Sequence, residues 1–244
     1  DGGGNDTPST PPVSNITIYK KPDQPTMASM NLTAAADKNG VAIVTITEAQ
    51  VKELIDAAKK DAKSKGKAAD GIGVSLNIAF NTDGKSVSVK LDEKTLALLE
   101  KEGVKRFDVN TPLVSFSFDK IAIQETKAQA SGTVTIAANP VTKLSNAAKA
   151  LIGNRPVYDL TVSYQKNGKT EYVSDFKTGT VTLGILYNPA RNEQTGNIYG
   201  VYVGKDGKPQ MLANSSYDNG RVIFGRNSLS IYGIGYKAPA PDFT

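Results

Sequence analysis

Five of the seven Asn-Gly and Asp-Gly pairs in the chain lie between two short runs of alternating apolar and polar residues. They are Asn39-Gly40, Asp83-Gly84, Asn167-Gly168, Asp206-Gly207 and Asn219-Gly220. Such a pair is the strongest local signal for a two-residue β-hairpin, because its turn needs positive φ angles that Asn, Asp and Gly tolerate best. Five such turns in 244 residues predict a mainly antiparallel β protein.

Helices are predicted at four places, each after a residue that can cap a helix N-terminus. Thr47 and Gln50 form a capping-box pattern, and apolar residues recur at helical spacing from Val51 to Ala62. Asp92, Asp119 and Ser145 precede three shorter apolar stripes. The predicted helices cover residues 47–65, 92–102, 119–125 and 145–152. The fold class is therefore predicted to be α+β, with mainly antiparallel strands.

Charge and tyrosine content change near residue 129, and this change predicts a domain boundary there. Residues 1–127 carry equal numbers of acidic and basic side chains, so the net charge of +5 lies after them. Nine of the ten tyrosines follow residue 157. We expect a flexible linker over 1–25, an α+β domain over 26–128, a β-sandwich domain over 129–238 and the start of a further linker over 239–244.

The chain has no Cys, no His and no Trp, and these absences exclude several kinds of site. Disulfides, Cys/His zinc sites and catalysis by a His base are excluded. A pair of carboxylates can hydrolyse a glycoside without His, but sugar clefts usually stack their substrate on Trp. We therefore expect no enzyme activity, no cofactor and no metal, and rank a carboxylate-based glycan-active enzyme third among the interpretations.

Partners are constrained by the same composition. The basic residues are scattered and not interleaved with aromatic residues, which disfavours a nucleic-acid partner. No apolar run approaches the roughly 20 residues that a membrane-spanning helix needs, so no membrane span is expected. Tyr187, Tyr199, Tyr202 and Tyr217 are candidates for a surface that binds glycan or protein. The alternative is that they are half-buried strand residues with the hydroxyl in water.

Residues 156–236 combine several short motifs whose ensemble is informative. The motifs are Pro156-Val157-Tyr158-Asp159-Leu160, Gly179-Thr180-Val181-Thr182-Leu183, Tyr187-Asn188-Pro189, Gly200-Val201-Tyr202-Val203 and Gly220-Arg221-Val222-Ile223-Phe224. This ensemble resembles the region that precedes S-layer homology repeats in secreted proteins of Gram-positive bacteria (Firmicutes). The resemblance covers about residues 27–236, and Pro241-Asp242-Phe243-Thr244 resembles the entry to such a repeat.

The last strands also resemble, at fold level, the sandwich part of GAIN and ZU5/UPA-like domains. Ser228-Leu229-Ser230 stands where those domains carry a His-x-Ser/Thr element. The His is missing, so the resemblance does not extend to autocleavage.

The resemblance to the region before S-layer homology repeats implies a non-catalytic structural or spacer module. Such a module would be part of a secreted protein at the cell surface, held to the cell wall by repeats outside this chain. The second interpretation is an adhesin-like module that binds cell-wall or host glycans or proteins. We expect the chain to be a monomer.

Overall fold

A computed structural model describes residues 15–238, so the predictions for residues 1–14 and 239–244 lie outside the described part. The protein is α+β, with 45% of its residues in strands and 22% in helices. Most strand pairs are antiparallel, which confirms the predicted fold class. The strands form two large sheets, here named sheet A and sheet B.

Sheet A has eight strands, and three of its neighbouring strands are parallel. Its strands in spatial order are β1 (Ile16–Tyr19), β2 (Thr26–Ala34), β4 (Ile72–Phe80), β6 (Arg106–Asn110), β7 (Val114–Asp119), β11 (Val181–Leu186), β15 (Arg221–Arg226) and β14 (Ser216–Asp218). Strands β2, β4 and β6 run parallel to one another. Strand β1 lies within the segment expected to be a linker, and it pairs along the edge with β2.

Sheet B also has eight strands. They are β13 (Pro209–Leu212), β12 (Ile198–Val203), β16 (Ile231–Tyr236), β9 (Val157–Lys166), β8 (Val134–Pro140), β5 (Ser86–Leu91) and β3 (Val41–Ile46), with β10 (Lys169–Tyr172) paired to β9. Only β3 and β5 are a parallel pair in this sheet. Strand β3 contacts β2 at one end of the sheets, and β12 contacts β14 and β15 toward the other end.

The four predicted helices are present, and their capping residues are those that the sequence indicates. They are α1 (Glu48–Ser64), α2 (Glu93–Lys101), α3 (Lys120–Gln129) and α4 (Asn146–Ile152). Thr47 and Gln50 make the reciprocal bonds of a capping box, and Asp92, Asp119 and Ser145 each accept a bond from a first-turn amide. Helix α3 is longer than predicted, since its chain meets no Gly or Pro before Gly132.

Three of the five turn pairs close hairpins, and two do not. Asn167-Gly168 joins β9 to β10, Asp206-Gly207 joins β12 to β13 and Asn219-Gly220 joins β14 to β15. Both residues of the first and last of these pairs have positive φ, as a type I′ turn requires. At Asn39-Gly40 and Asp83-Gly84 the predicted hairpin of paired strands is not formed, because each turn carries the chain from sheet A to sheet B; a single antiparallel bridge, Ala36 to Ala42, spans the first turn.

The physical reason lies in the helices that follow those two turns. Strand β2 pairs in parallel with β4 and not with β3, and the crossover between them contains β3 and α1. Strand β4 pairs in the same way with β6 across β5 and α2. The chain thus contains two consecutive strand–turn–strand–helix units, and each unit contributes one strand to each sheet.

One large hydrophobic cluster holds the two sheets and helices α1, α2 and α3 together. It contains Leu54 from α1, Val87 from β5, Phe116 from β7 and Phe224 from β15. Strand β7 pairs with β11, and β5 pairs with β8, so both sheets continue across residue 129. The change in composition near residue 129 therefore separates neither two sheets nor two cores. Helix α4 packs separately, through Ala148 and Ile152, on Val201 and Val203.

Candidate functional site

The four candidate tyrosines are all half-buried, and the structure brings only two of them into contact. Tyr217 donates a hydrogen bond to the backbone oxygen of Tyr187 at 3.0 Å. The ring of Tyr202 is tilted by 46° against that of Tyr232, with the ring centres 5.6 Å apart and Arg226 above both rings. The four side chains therefore lie in different packing environments. Tyr199, Tyr202 and Tyr217 are half-buried strand residues, whereas Tyr187 follows the end of β11. The hydroxyls of Tyr187 and Tyr217 are hydrogen-bonded within the protein.

The side chain of Tyr199 is packed against neighbouring residues. Its ring lies beside Gly235 on the neighbouring strand β16, where an added Cβ atom would come within 2.6 Å of the ring. Its side chain also packs against the small cluster under α4. Tyr199 fills the space that a glycine leaves in the adjacent strand.

Tyr187 belongs to a buried polar network around Glu193, which sequence reasoning did not single out. The hydroxyl of Tyr187 donates to Oε1 of Glu193, and Arg155 donates to Oε2 from Nε and a terminal nitrogen at 3.0 and 2.9 Å. The Arg155 guanidinium lies 5.4 Å from the centre of the Tyr236 ring. The Glu193 side chain is only 5% exposed. This network fixes the loop between β11 and β12 to the end of β16.

The electrostatics of the network favour an ionised Glu193. Burial disfavours the charged form, but the hydrogen bonds from Tyr187 and Ala190 and the nearby Arg155 outweigh it, so the pKa of Glu193 lies below its usual value. Burial and the same carboxylate raise the pKa of Tyr187, which keeps its hydroxyl a donor. Each of these groups is hydrogen-bonded to another member of the network, so the network has a structural role.

Replacing Glu193 by Gln should lower the free energy of unfolding at pH 7 by about 2 kcal/mol, because Arg155 loses a charged partner. Since the folded pKa is depressed, this contribution is complete above the unfolded pKa of about 4.3 and is lost as the pH falls through the folded value. Urea unfolding of both proteins between pH 3 and pH 7 measures the difference. The exposed Glu171→Gln serves as control, and a difference that stays constant down to pH 3 would contradict the ionised assignment.

The outward side of sheet A is polar over several strands, and we call it the polar face. In β2 and β4 the apolar residues Ala28, Met30, Val74 and Leu76 belong to the core cluster, so the residues between them point to the other side. Directly paired residues share a side, and the register therefore defines two rows across the sheet. The first row is Ser29, Ser75, Asp108, Ser117 and Thr182; the second is Asn31, Asn77, Asn110, Ser115 and Gly184.

The second row contains a chain of side-chain amides, which we call the asparagine lane (Asn31, Asn77 and Asn110). Nδ2 of Asn110 donates to Oδ1 of Asn77 at 2.9 Å, and Nδ2 of Asn77 donates to Oδ1 of Asn31 at 3.3 Å. Nδ2 of Asn110 also donates to the hydroxyl of Ser75 at 3.2 Å. Asn31 is exposed, and Asn77 and Asn110 are half-buried. The bonds fix the amide planes while leaving part of each amide open to solvent.

Arg221 extends the asparagine lane on the other side of Ser115. Its aliphatic stem lies above Gly184, 3.3 Å from the position that a Cβ atom would take there. Its guanidinium donates to the backbone oxygens of Gly184 at 3.2 Å and Thr111 at 2.7 Å. Glycine at position 184 is thus what allows the arginine to lie flat on the sheet. Arg221, Asn31, Asn77 and Asn110 together line a groove of about 400 Å³.

Arg221, like Arg226, is half-buried and has no acidic partner within residues 15–238, but Arg226 lies on the rings of Tyr202 and Tyr232. Arg106 pairs with Asp108 at 2.9 Å, and Arg155 pairs with Glu193. Asp218 lies opposite Arg221 in the register of β14 and β15, but the two side chains form no ion pair. Burial lowers the pKa of Arg221, although a guanidinium remains protonated in proteins. The asparagine lane therefore ends at an uncompensated positive charge.

The acids of the polar face are engaged in structural bonds. Asp108 accepts from Arg106 and from the hydroxyl of Ser117 at 2.6 Å. Asp119 accepts from the amide of Ala122 at the start of α3 and from the amide of Thr180. Within the described residues, no group of three or more acidic side chains is placed to hold a metal ion.

Comparison with protein-family models gave no match, and comparison with curated proteins gave none either. Over residues 15–238, none of the helices combines the length and the apolar character that crossing a membrane requires.

Proposed function

We propose that this chain is a non-catalytic structural module, a spacer in a secreted surface protein of the S-layer type that is attached to the cell wall. The path of the chain through the two sheets carries this proposal. The chain enters sheet A at the edge strand β1 and leaves through β16, which lies toward the opposite lateral end of sheet B. Segments on either side of the module would thus be held apart by a body with one continuous core.

The interlocked topology supports a load-carrying role. Each sheet contains strands from both halves of the chain, since β7 pairs with β11 in one sheet and β5 pairs with β8 in the other. A pull on either end must therefore disturb a core built from both halves. The location at the cell surface rests on the resemblance to the region before S-layer homology repeats.

A deletion in the native surface protein tests the spacer role. Removing residues 15–238, with an epitope placed before them, should leave the amount of protein in the wall fraction unchanged. The deletion should reduce binding of a whole antibody to the epitope more than binding of a small single-domain binder. The epitope then lies closer to the wall, where a large molecule is excluded more strongly. A full-length protein carrying the same epitope is the control.

Two outcomes would contradict the spacer proposal. Release of the shortened protein into the medium would mean that this module itself attaches the protein. Equal accessibility of the epitope with and without the module would mean that it adds no distance. The alternative of a binding module draws its support from the polar face.

A further inference from the structure

The asparagine lane and Arg221 form a surface whose properties a spacer does not need. A sheet face that only contacts water has no requirement for amides bonded in series across three strands. The lane here is ordered: each amide is oriented by its neighbour, from Asn110 through Asn77 to Asn31. Side chains held in one orientation before a ligand arrives lose little conformational entropy on binding.

The hydrogen-bonding capacity left over in the lane suits hydroxyl groups spaced along a sugar chain. Within the described part of the chain, the Nδ2 group of Asn31 makes no hydrogen bond, and Oδ1 of Asn110 accepts none. The unused donor on Asn31 and the unused acceptor on Asn110 lie two inter-strand steps apart, about 10 Å. Hydroxyls on different rings of one linear sugar chain can accept from the first and donate to the second. From Asn31 to Ser115 the row spans three inter-strand steps, about 14 Å.

Arg221 adds a charge requirement to the ligand. A guanidinium has five N–H donors, and Arg221 uses two of its nitrogens on the backbone oxygens of Gly184 and Thr111. Arg221 lines the same groove as the three asparagines. With no acidic partner within residues 15–238, the guanidinium is complementary to an anion, and a planar carboxylate fits its fork geometry.

The number and placement of charges select among anionic polymers. Arg221 is the single cation of the groove, and its other polar lining side chains are uncharged. Asp218 is exposed nearby, on the strand that pairs with Arg221. A polymer with a full charge on every closely spaced unit, such as a polyphosphate chain, would meet one cation and the repulsion of Asp218. A uronic-acid chain carries its carboxylates one sugar ring apart, with ring hydroxyls between them, so it can satisfy both the amides and the guanidinium.

We propose that the groove formed by Asn31, Asn77, Asn110 and Arg221 binds a linear acidic glycan, with a uronic-acid carboxylate on Arg221 and ring hydroxyls on the amides. Specificity for the acid resides in Arg221, and alignment of the sugar chain resides in the asparagine lane. Asp218 weakens the interaction electrostatically.

Titration of the whole chain with a short oligogalacturonate, followed by calorimetry at low salt, tests this proposal. The matched ligand is the methyl ester of the same oligomer, which keeps the hydroxyls and removes the charge. We expect the ester to bind about tenfold more weakly or worse, the effect of one charge-assisted hydrogen bond. Arg221→Gln should weaken binding of the acid by a similar factor and leave binding of the ester nearly unchanged.

Two further variants keep the test independent of any damage that Arg221→Gln does to the fold. Asn31 is exposed, so Asn31→Asp should leave the melting temperature unchanged and weaken binding several-fold by repulsion. Asp218→Asn should strengthen binding. The matched controls are Arg191→Gln and Asn146→Asp, which make the same charge changes at exposed positions outside the groove.

Several outcomes would overturn the proposal. These are no binding of the oligogalacturonate, equal binding of acid and ester, and equal effects of Asn31→Asp and Asn146→Asp. Equal or tighter binding of a poly(glycerol phosphate) would overturn the assignment of a carboxylate. None of these outcomes affects the epitope accessibility measured in the deletion experiment. The spacer proposal and the binding proposal can therefore be contradicted separately.

Discussion

Residues 1–128 expressed alone should not fold into a stable domain, although composition suggests a boundary at their end. Without the rest of the chain, β7 loses its partner β11 and β5 loses its partner β8. The fragment would expose the core sides of Phe116 and Phe118, which are 1% and 3% exposed in the whole protein. The far-UV circular dichroism signal of the fragment should change with temperature without a cooperative transition. Two strands that lose their partners leave unpaired backbone groups and exposed apolar surface.

The intact chain is the reference for this experiment, and a mixture of the fragment with residues 129–244 is its control. Mixing should restore a cooperative transition if the two pieces complete each other's sheets. A sharp, reversible transition for residues 1–128 alone would show that the first half is an independent domain after all.

Replacing Phe116 by Ala should lower the free energy of unfolding by about 3–5 kcal/mol, the usual cost of emptying a large buried site. Phe116 is in the middle of sheet A, its ring centre is 6.5 Å from that of Phe118, and it belongs to the cluster that joins both sheets. Since strands from both halves share that cluster, the whole protein should unfold earlier in one transition. Urea unfolding followed by both tyrosine fluorescence and circular dichroism measures this.

Leu186→Ala is the matched control for the Phe116 variant. Leu186 is at the end of the neighbouring strand β11 and is 47% exposed, so its truncation should change stability by less than about 0.5 kcal/mol. Two separated transitions in the Phe116→Ala protein, with only one displaced, would contradict a shared core.

Local interactions explain the parts of the fold that the sequence predicts correctly. A capping box or an N-cap Asp acts within three or four residues, and all four helices begin where these residues stand. The type I′ turns at Asn167 and Asn219 are equally local, since each joins strands that are adjacent in the chain.

The two wrong hairpins show where local signals stop. Asn39-Gly40 provides the tight turn that the sequence indicates, with Gly40 at a φ of 76°. What the turn cannot specify is whether the next strand pairs with the previous one or enters the opposite sheet. That choice depends on two elements further along the chain: α1, which contacts β2, and β4, which pairs with β2 in parallel.

The candidate site was out of reach for the same reason. Asn31, Asn77 and Asn110 each look like an ordinary outward-facing strand residue, and only the parallel register of β2, β4 and β6 places them in one row. The candidate tyrosines lie close together in the sequence, whereas the groove joins residues 31 and 221. A signal that could have found it is the asparagine that directly follows an apolar core residue in each of the three strands.

The crossing of the chain between the two sheets also determines when the protein can fold during synthesis. Strand β7 has its second neighbour only when β11 is present, and β5 waits in the same way for β8. Most of the chain must therefore leave the ribosome before either sheet is complete, and pairings this distant in sequence form slowly. The first half of the chain therefore remains without its full set of strand partners for a long part of synthesis.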